Sequence, residues 1–269
     1  MTTTHWIETP AGKIAVHESG GSGPPIILVH GNSSSARTFA RQFEGPLGRS
    51  FRLIAIDLPG HGASDDAADG VYSLKGHARA VHQAAEAMGA ENAVFVGWSL
   101  GGHIVLELAP SLPKARGFAI FGTPPLAFPA AMDQAFLPNP AMGVGFAEQV
   151  DRAQAETYVA SFFAPGFRGV PDFFAEDILR TDGRARSGAY ASLAPGGYLD
   201  EAVVVRELHA PLAVLHGAEE QLVNRDYFDT LVMPTLWRGA VQVIPGAGHA
   251  PHWETPEAFD ALIEAFAQQ

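Results

Sequence analysis

Residues 93–103, A-V-F-V-G-W-S-L-G-G-H, hold the most chemically pointed pattern in the chain. In Gly97-Trp98-Ser99-Leu100-Gly101 a serine is flanked by glycines two positions away on either side. Residues 93–96 are apolar, as a buried strand would be, and 100–109 read as a helix. A serine at the tip of so sharp a strand-to-helix turn is driven towards positive φ, a strained state for a residue with a Cβ. Gly97 and Gly101 remove the side chains that would collide across the turn. Ser99 Oγ is then held clear of the sheet, above the first turn of its helix. There the backbone N–H of Leu100 can meet a developing oxyanion. This arrangement prepares nucleophilic attack on an acyl carbon.

A serine hydroxyl attacks poorly unless a base takes its proton and a carboxylate orients that base. In a strand–turn–helix setting, both belong on loops at the same sheet edge, in chain order serine, acid, histidine. Residues 246–252, G-A-G-H-A-P-H, follow the last strand-like run and precede a proline-started helix. His249 is the candidate base; His252 competes but lies further from the strand end. The acid belongs after the strand at 212–215, where the loop His216-Gly217-Ala218-Glu219-Glu220 offers two neighbouring glutamates. The other loop to consider, 121–128, contains no carboxylate. A second oxyanion donor is expected after the strand at 26–29, from the backbone N–H of Asn32 in His30-Gly31-Asn32. The Asn32 side chain, or the serines behind it, can also reach a substrate.

These loops need a scaffold. Residues 7–9 and 13–17 bracket Pro10-Ala11-Gly12 as a β-hairpin. Short apolar strands are expected at 26–29, 52–57, 93–96, 117–121, 212–215 and 241–244. Helices are expected at 36–43, 74–88, 100–109, near 226–232 and at 256–267. Strands alternating with helices imply a mostly parallel sheet covered by helices on both faces. From 126 to 209 the strand pattern stops and aromatic residues and helical stretches take over. The chain therefore divides into a core, 1–125 and 210–269, and a helical cap, 126–209, inserted before the penultimate strand.

At 269 residues, one such domain with an insertion fills the chain and buries an ample core. There is no cysteine, which excludes disulfides, thiolate metal sites and thiol catalysis. Seventeen basic against 29 acidic residues give a formal charge of −12, which repels phosphate backbones and argues against nucleic acid as a partner. No apolar run approaches the length needed to span a bilayer. The N-terminus has neither the basic nor the apolar region of a secretory signal, so a cytoplasmic location is expected.

Taken together, His30-Gly31, D-L-P-G-H-G at 57–62, residues 97–102, and Gly248-His249 with Glu254 and Pro256 resemble the α/β-hydrolase superfamily. H-G-N-S-S-S at 30–35, G-W-S-L-G-G-H-I at 97–104, G-T-P-P at 122–125 and T-D-G-R-A-R at 181–186 look like its metal-independent N-acyl-homoserine lactonases, which act in quorum quenching. The last of these motifs lies in the cap, where hydrolases of this fold diverge most. The resemblance implies an α/β-hydrolase fold and a Ser99–His249–Glu220 triad, because the acid in this fold usually stands three residues after the glycine. It also places Tyr158 as a cap tyrosine facing the site, and implies no metal or other cofactor. Read from the residues alone, Tyr158 is equally a core residue of the cap.

The expected substrate is a small ester or lactone with an apolar acyl chain. Trp98 and some of the cap phenylalanines (128, 136, 146, 162, 163, 167, 173 and 174) are candidates for lining its pocket. A general carboxylesterase or a perhydrolase would use the same triad. A ligand-binding receptor on this fold is the reading from a different class. The aspartate nucleophile of haloalkane dehalogenases and epoxide hydrolases is absent, because Ser99 stands in its place.

Overall fold

Eight strands form one sheet in the computed structural model, which describes residues 2–68 and 70–269. They are β1 (Thr3–Thr9), β2 (Gly12–Glu18), β3 (Pro25–Val29), β4 (Arg52–Ile56), β5 (Val94–Trp98), β6 (Gly117–Phe121), β7 (Leu212–Gly217) and β8 (Gln242–Ile244). Their order across the sheet is β1-β2-β4-β3-β5-β6-β7-β8. The hairpin β1–β2 joins antiparallel to β4, and all pairs from β4 to β8 are parallel. β5, β6 and β7 are buried along their whole length, which explains their unbroken apolar runs.

Two groups of helices cover the sheet. Leu74–Ala87 packs on Leu100–Leu108, while Ala40–Glu44 and Pro46–Ser50 pack with Pro256–Ala267. The expected helix at 36–43 is instead a 3₁₀ turn, Ala36–Phe39, followed by the short helix Ala40–Glu44. Ser35 caps that turn, and Asp57 Oδ1 takes the Ala36 N–H at 2.7 Å, which sets its entry angle. The helix expected near 226–232 is a 3₁₀ segment, Arg225–Thr230. Among the described residues, no helix is long and apolar enough to cross a membrane.

Between β6 and β7 the chain adds helical segments, including Arg152–Ala160, Phe173–Arg180, Gly183–Ala191 and Glu201–Glu207, and no strand of the sheet. Their buried side chains join the same hydrophobic cluster as the sheet, through Tyr158, Phe162, Phe163, Phe174 and Val205. The T-D-G-R-A-R motif fastens this segment. Asp182 accepts the Tyr72 hydroxyl at 2.7 Å, and buried Arg186 donates to the carbonyls of Ala147, Glu148 and Ile178. In register, Val29 pairs with Gly97, Trp98 with Phe121, and Gly217 with Ile244. The loops leaving β3, β5, β6, β7 and β8 therefore gather along one carboxyl edge, where parallel α/β sheets bind ligands.

Candidate active site

Ser99 sits at the end of β5 with φ 52° and ψ −120°, one of three described non-glycine residues at positive φ. Such a backbone costs on the order of 1–3 kcal/mol and persists only where its surroundings enforce it. They do so here. The Ser99 N–H donates to Phe121 O at 2.9 Å, and its carbonyl accepts Thr123 Oγ1 at 2.8 Å. A Cβ on Gly97 would strike the backbone of Gly101 and Gly102, and one on Gly101 would strike the carbonyls of Val29 and His30. The turn thus needs both glycines for close approach, and it locks the Ser99 helix against the end of β3. As the first residue of that helix, Leu100 has no intrahelical acceptor for its N–H.

His249 Nδ1 donates to Glu220 Oε2 at 2.8 Å, and both side chains are 2% exposed. Burial would raise the Glu220 carboxyl, but the charge and hydrogen bond of His249 and the Leu222 N–H outweigh it and hold it below the usual carboxylate range. An ionised Glu220 accepts on both oxygens, with Oε1 taking Leu222 N–H at 2.8 Å. The ring proton therefore belongs on Nδ1, which leaves Nε2 free to accept. Glu219 is exposed and only its backbone is held, by Ala247 O. His252 is buried among Trp98, Phe39 and Phe121, with Nε2 2.6 Å from Thr38 Oγ1, and burial drives its pKa well below the imidazole range.

Ser99, Leu100, His249, Asn32 and Tyr158 line one cavity, whose other walls include Leu126, Met132, Phe136, Met142 and Phe146. The Asn32 amide does not point free: Nδ2 donates to Gly145 O at 2.6 Å, and Oδ1 accepts Ser33 Oγ at 3.0 Å. This ties the loop after β3 to the inserted segment and leaves the Asn32 backbone as its contribution to chemistry. Tyr158 is buried and stacks edge-on against Phe162. Its hydroxyl makes no hydrogen bond to a described residue, and burial raises its pKa, so it stays protonated.

Trp98 differs from expectation. It is 1% exposed and absent from the cavity wall; its Nε1 donates to His249 O at 2.8 Å. Successive side chains of a strand point to opposite faces, so the residue before Ser99 faces away from the cavity and supports the His249 loop from below. Of the phenylalanines in the segment inserted between β6 and β7, Phe136 and Phe146 reach the cavity, whereas Phe163, Phe167, Phe173 and Phe174 stack on one another and on Trp253.

Sequence reasoning missed three supports. Gly122, at φ +60°, lies flat against the base: a Cβ there would come within 2.6 Å of His249 Cε1. Its sequence signal was the G-T-P-P ending of β6. Glu254 accepts the N–H of Gly248 at 2.7 Å and of Ala164 at 2.6 Å, clamping the His249 loop to the inserted segment. The Ala250 N–H donates to Phe162 O at 2.8 Å and closes the same seam. Finally, a His103–Glu201 pair stands in the cavity wall, with no signal in the sequence because its partners are 98 residues apart.

A strained serine, a carboxylate-held imidazole and an enclosed cavity on one sheet edge call for comparison with known enzymes. A family model described as the alpha/beta hydrolase family matches residues 26–262. The chain belongs to that family. Within it, the chain is 39% identical to the N-acyl homoserine lactonase AidH. A structure of an AidH variant complexed with N-hexanoyl homoserine superposes with a TM-score of 0.94, over 99% of this chain and 96% of that one. A second AidH variant, complexed with N-hexanoyl homoserine lactone, gives 0.93 over 98% and 97%. Among curated α/β hydrolases, the pimeloyl-[acyl-carrier protein] methyl ester esterase of Xanthomonas campestris pv. campestris strain B100 is 31% identical, covering 91% of this chain and 87% of its own. The esterase of the same description from Yersinia enterocolitica is 29% identical over 91% and 93%.

Proposed function

We propose that this α/β hydrolase opens the lactone ring of N-acyl-homoserine lactones, with Ser99 as nucleophile, His249 as base and Glu220 as the orienting acid. The observation that carries the reading is the meeting, in one largely apolar cavity, of strained Ser99, carboxylate-held His249 and the unpartnered phenol of Tyr158. The 39% identity to a lactonase over nearly the whole chain supports this choice of substrate. Residues 126–209 act as the cap that closes over the acyl chain.

Ser99 attacks the lactone carbonyl as His249 Nε2 takes its proton. The N–H groups of Asn32 and Leu100 hold the oxyanion. Collapse expels the ring oxygen, which takes the proton from His249, and an acyl-enzyme remains. The new hydroxyl is still tethered to the acyl group, so it competes with water at a high effective concentration. A hydrogen bond from the protonated Tyr158 phenol holds that hydroxyl aside while His249 activates water. The product carboxylate, with a pKa of about 4, ionises at neutral pH and draws hydrolysis forward.

The 29–31% identity to pimeloyl-[acyl-carrier protein] methyl ester esterases favours a second reading, a carboxylesterase of acyl-chain methyl esters using the same triad. Parallel kcat/KM measurements on acyl-homoserine lactones, methyl esters and aryl esters separate the two. Lactones turned over no better than their open-chain methyl esters would discard the lactonase reading.

A further inference from the structure

The mechanism leaves one polar pair in the cavity wall unused. His103 lies in the first turn of the helix Leu100–Leu108, whose side chains lean towards the N-terminus, here towards Ser99. His103 lines the same cavity. Its Nδ1 lies 2.9 Å from each carboxylate oxygen of Glu201, whose side chain is 1% exposed. Glu201 Oε2 also accepts the Leu126 N–H at 2.7 Å. The His103 ring's hydrogen bonds to described residues all run through Nδ1, and Nε2 makes none.

A buried acid paired with a half-buried imidazole in a wall of leucine, methionine and phenylalanine costs free energy that apolar residues of the same volume would not. Holding the Leu126 N–H explains an acceptor at position 201. It does not explain a histidine on the cavity side. The tautomer supplies the missing role: a carboxylate only accepts, so in the neutral ring the proton sits on Nδ1 and Nε2 carries a lone pair.

We propose that His103 Nε2 is an acceptor subsite for a hydrogen-bond donor that the acyl part of the substrate carries close to the attacked carbonyl. His103 is then a specificity-determining residue, and Glu201 positions it. Two donors have this chemistry: the amide N–H of an α-acylamino lactone and a hydroxyl on the acyl chain. An ether or ketone oxygen, which only accepts, gains nothing there. The amide source rests on the lactonase reading; the hydroxyl source does not.

The test compares aryl esters of butyrate, 3-hydroxybutyrate, 3-methoxybutyrate and 3-oxobutyrate at one mildly alkaline pH. Each kcat/KM is divided by the ester's own rate of alkaline hydrolysis, which removes intrinsic reactivity. A second arm compares an N-acyl-homoserine lactone with the α-acyloxy lactone in which oxygen replaces the N–H. One neutral hydrogen bond should favour the donor-bearing member of a pair about 3- to 10-fold, in whichever arm supplies the natural donor. His103→Phe should bring that ratio to about one. Glu201→Gln is the decisive variant, because its carbonyl can keep the Leu126 N–H while its amide N–H donates to His103 Nδ1. The ring proton then moves to Nε2, and the preference should reverse towards the methoxy and oxo esters. A role confined to packing would not produce that reversal.

If no lactone is hydrolysed but the hydroxy-ester preference is present and reverses in Glu201→Gln, the subsite stands and the lactonase reading falls. If lactones are hydrolysed but neither arm shows a donor preference in the wild type, the subsite falls and the lactonase reading is untouched. That wild-type comparison decides the matter even where His103→Phe does not fold.

Discussion

Changing Glu220 to glutamine keeps the side chain's shape but puts an N–H donor where both oxygens now accept one. Glu220 accepts from His249 Nδ1 and from the Leu222 N–H, each at 2.8 Å, with its side chain 2% exposed. A carboxamide can satisfy only one of them. If its oxygen keeps Leu222, its NH₂ faces the imidazole and drives the ring proton to Nε2, where it blocks proton transfer from Ser99. If its oxygen keeps His249, two donors face each other in a buried pocket, at about 1–3 kcal/mol. In either case the imidazolium formed during attack loses its counter-charge, worth about 4 kcal/mol at 4 Å and an effective dielectric near 20, or roughly 10³-fold in rate. Adding the tautomer block, Glu220→Gln should lower kcat on an aryl ester by about 10³- to 10⁴-fold with KM little changed. The exposed Glu219→Gln should stay within about twofold of wild type, since surface substitutions rarely disturb more. Thermal unfolding of both variants verifies that the fold survives. A folded Glu220→Gln that keeps a tenth of the activity, or a Glu219→Gln that loses it, would refute the assignment of the acid.

Three further outcomes are expected. Gly122→Ala forces a Cβ against the His249 ring from a backbone at φ +60°, so kcat should fall at least about tenfold, with roughly 1–2 kcal/mol of stability lost; an active, fully stable variant would contradict the close approach. Tyr158→Phe should slow lactones about tenfold more than aryl esters, which release their alcohol, and equal losses on both would remove the phenol from the deacylation step. Burial, with Glu257 and Glu264 pushing in the same direction against the Gln42 hydrogen bond, raises Asp260 to about 6. The folded chain thus keeps a proton that the unfolded chain releases from about pH 4 upward, so this group's contribution to stability falls as pH rises through that window and levels off above the folded pKa. Asp260→Asn should therefore stabilise the protein at pH 7 by about 1–2 kcal/mol, a figure discounted for partial solvent access, and do little near pH 4. Urea titrations at the two pH values measure the difference, and parallel wild-type and variant curves would dispose of it.

Most of the scaffold was legible because its signals are local. β6 and the helix Pro256–Ala267 fall on the residues expected, the strand as an unbroken apolar run and the helix behind its N-terminal proline. The short 3₁₀ elements were misjudged because a single cap or a single Asp57 hydrogen bond, rather than periodicity, decides their form. At the site, the turn around Ser99 announces itself through its glycines, and chain order brings His249 and Glu220 into question. Choosing Glu220 over Glu219 needed either a resemblance or the geometry, since adjacent loop residues carry no periodic signal. Trp98 was misplaced by sequence adjacency to Ser99, where strand alternation argues for the opposite face. The aromatic count of residues 126–209 could not say that Phe136 faces the cavity and Phe163 does not, because that depends on how distant helices pack.

Metal-independent, serine-based ring opening is tested most directly by one incubation. Wild type, Ser99→Ala and wild type dialysed against a chelator are each given N-hexanoyl-homoserine lactone, and the products are read by mass spectrometry. Wild type and the dialysed enzyme should both yield the lactone plus one water, with no free hexanoate and no free homoserine lactone, while Ser99→Ala should yield nothing above the uncatalysed rate. Released hexanoate would make the enzyme an acylase. Turnover by Ser99→Ala, or its loss on chelation, would contradict the serine mechanism itself.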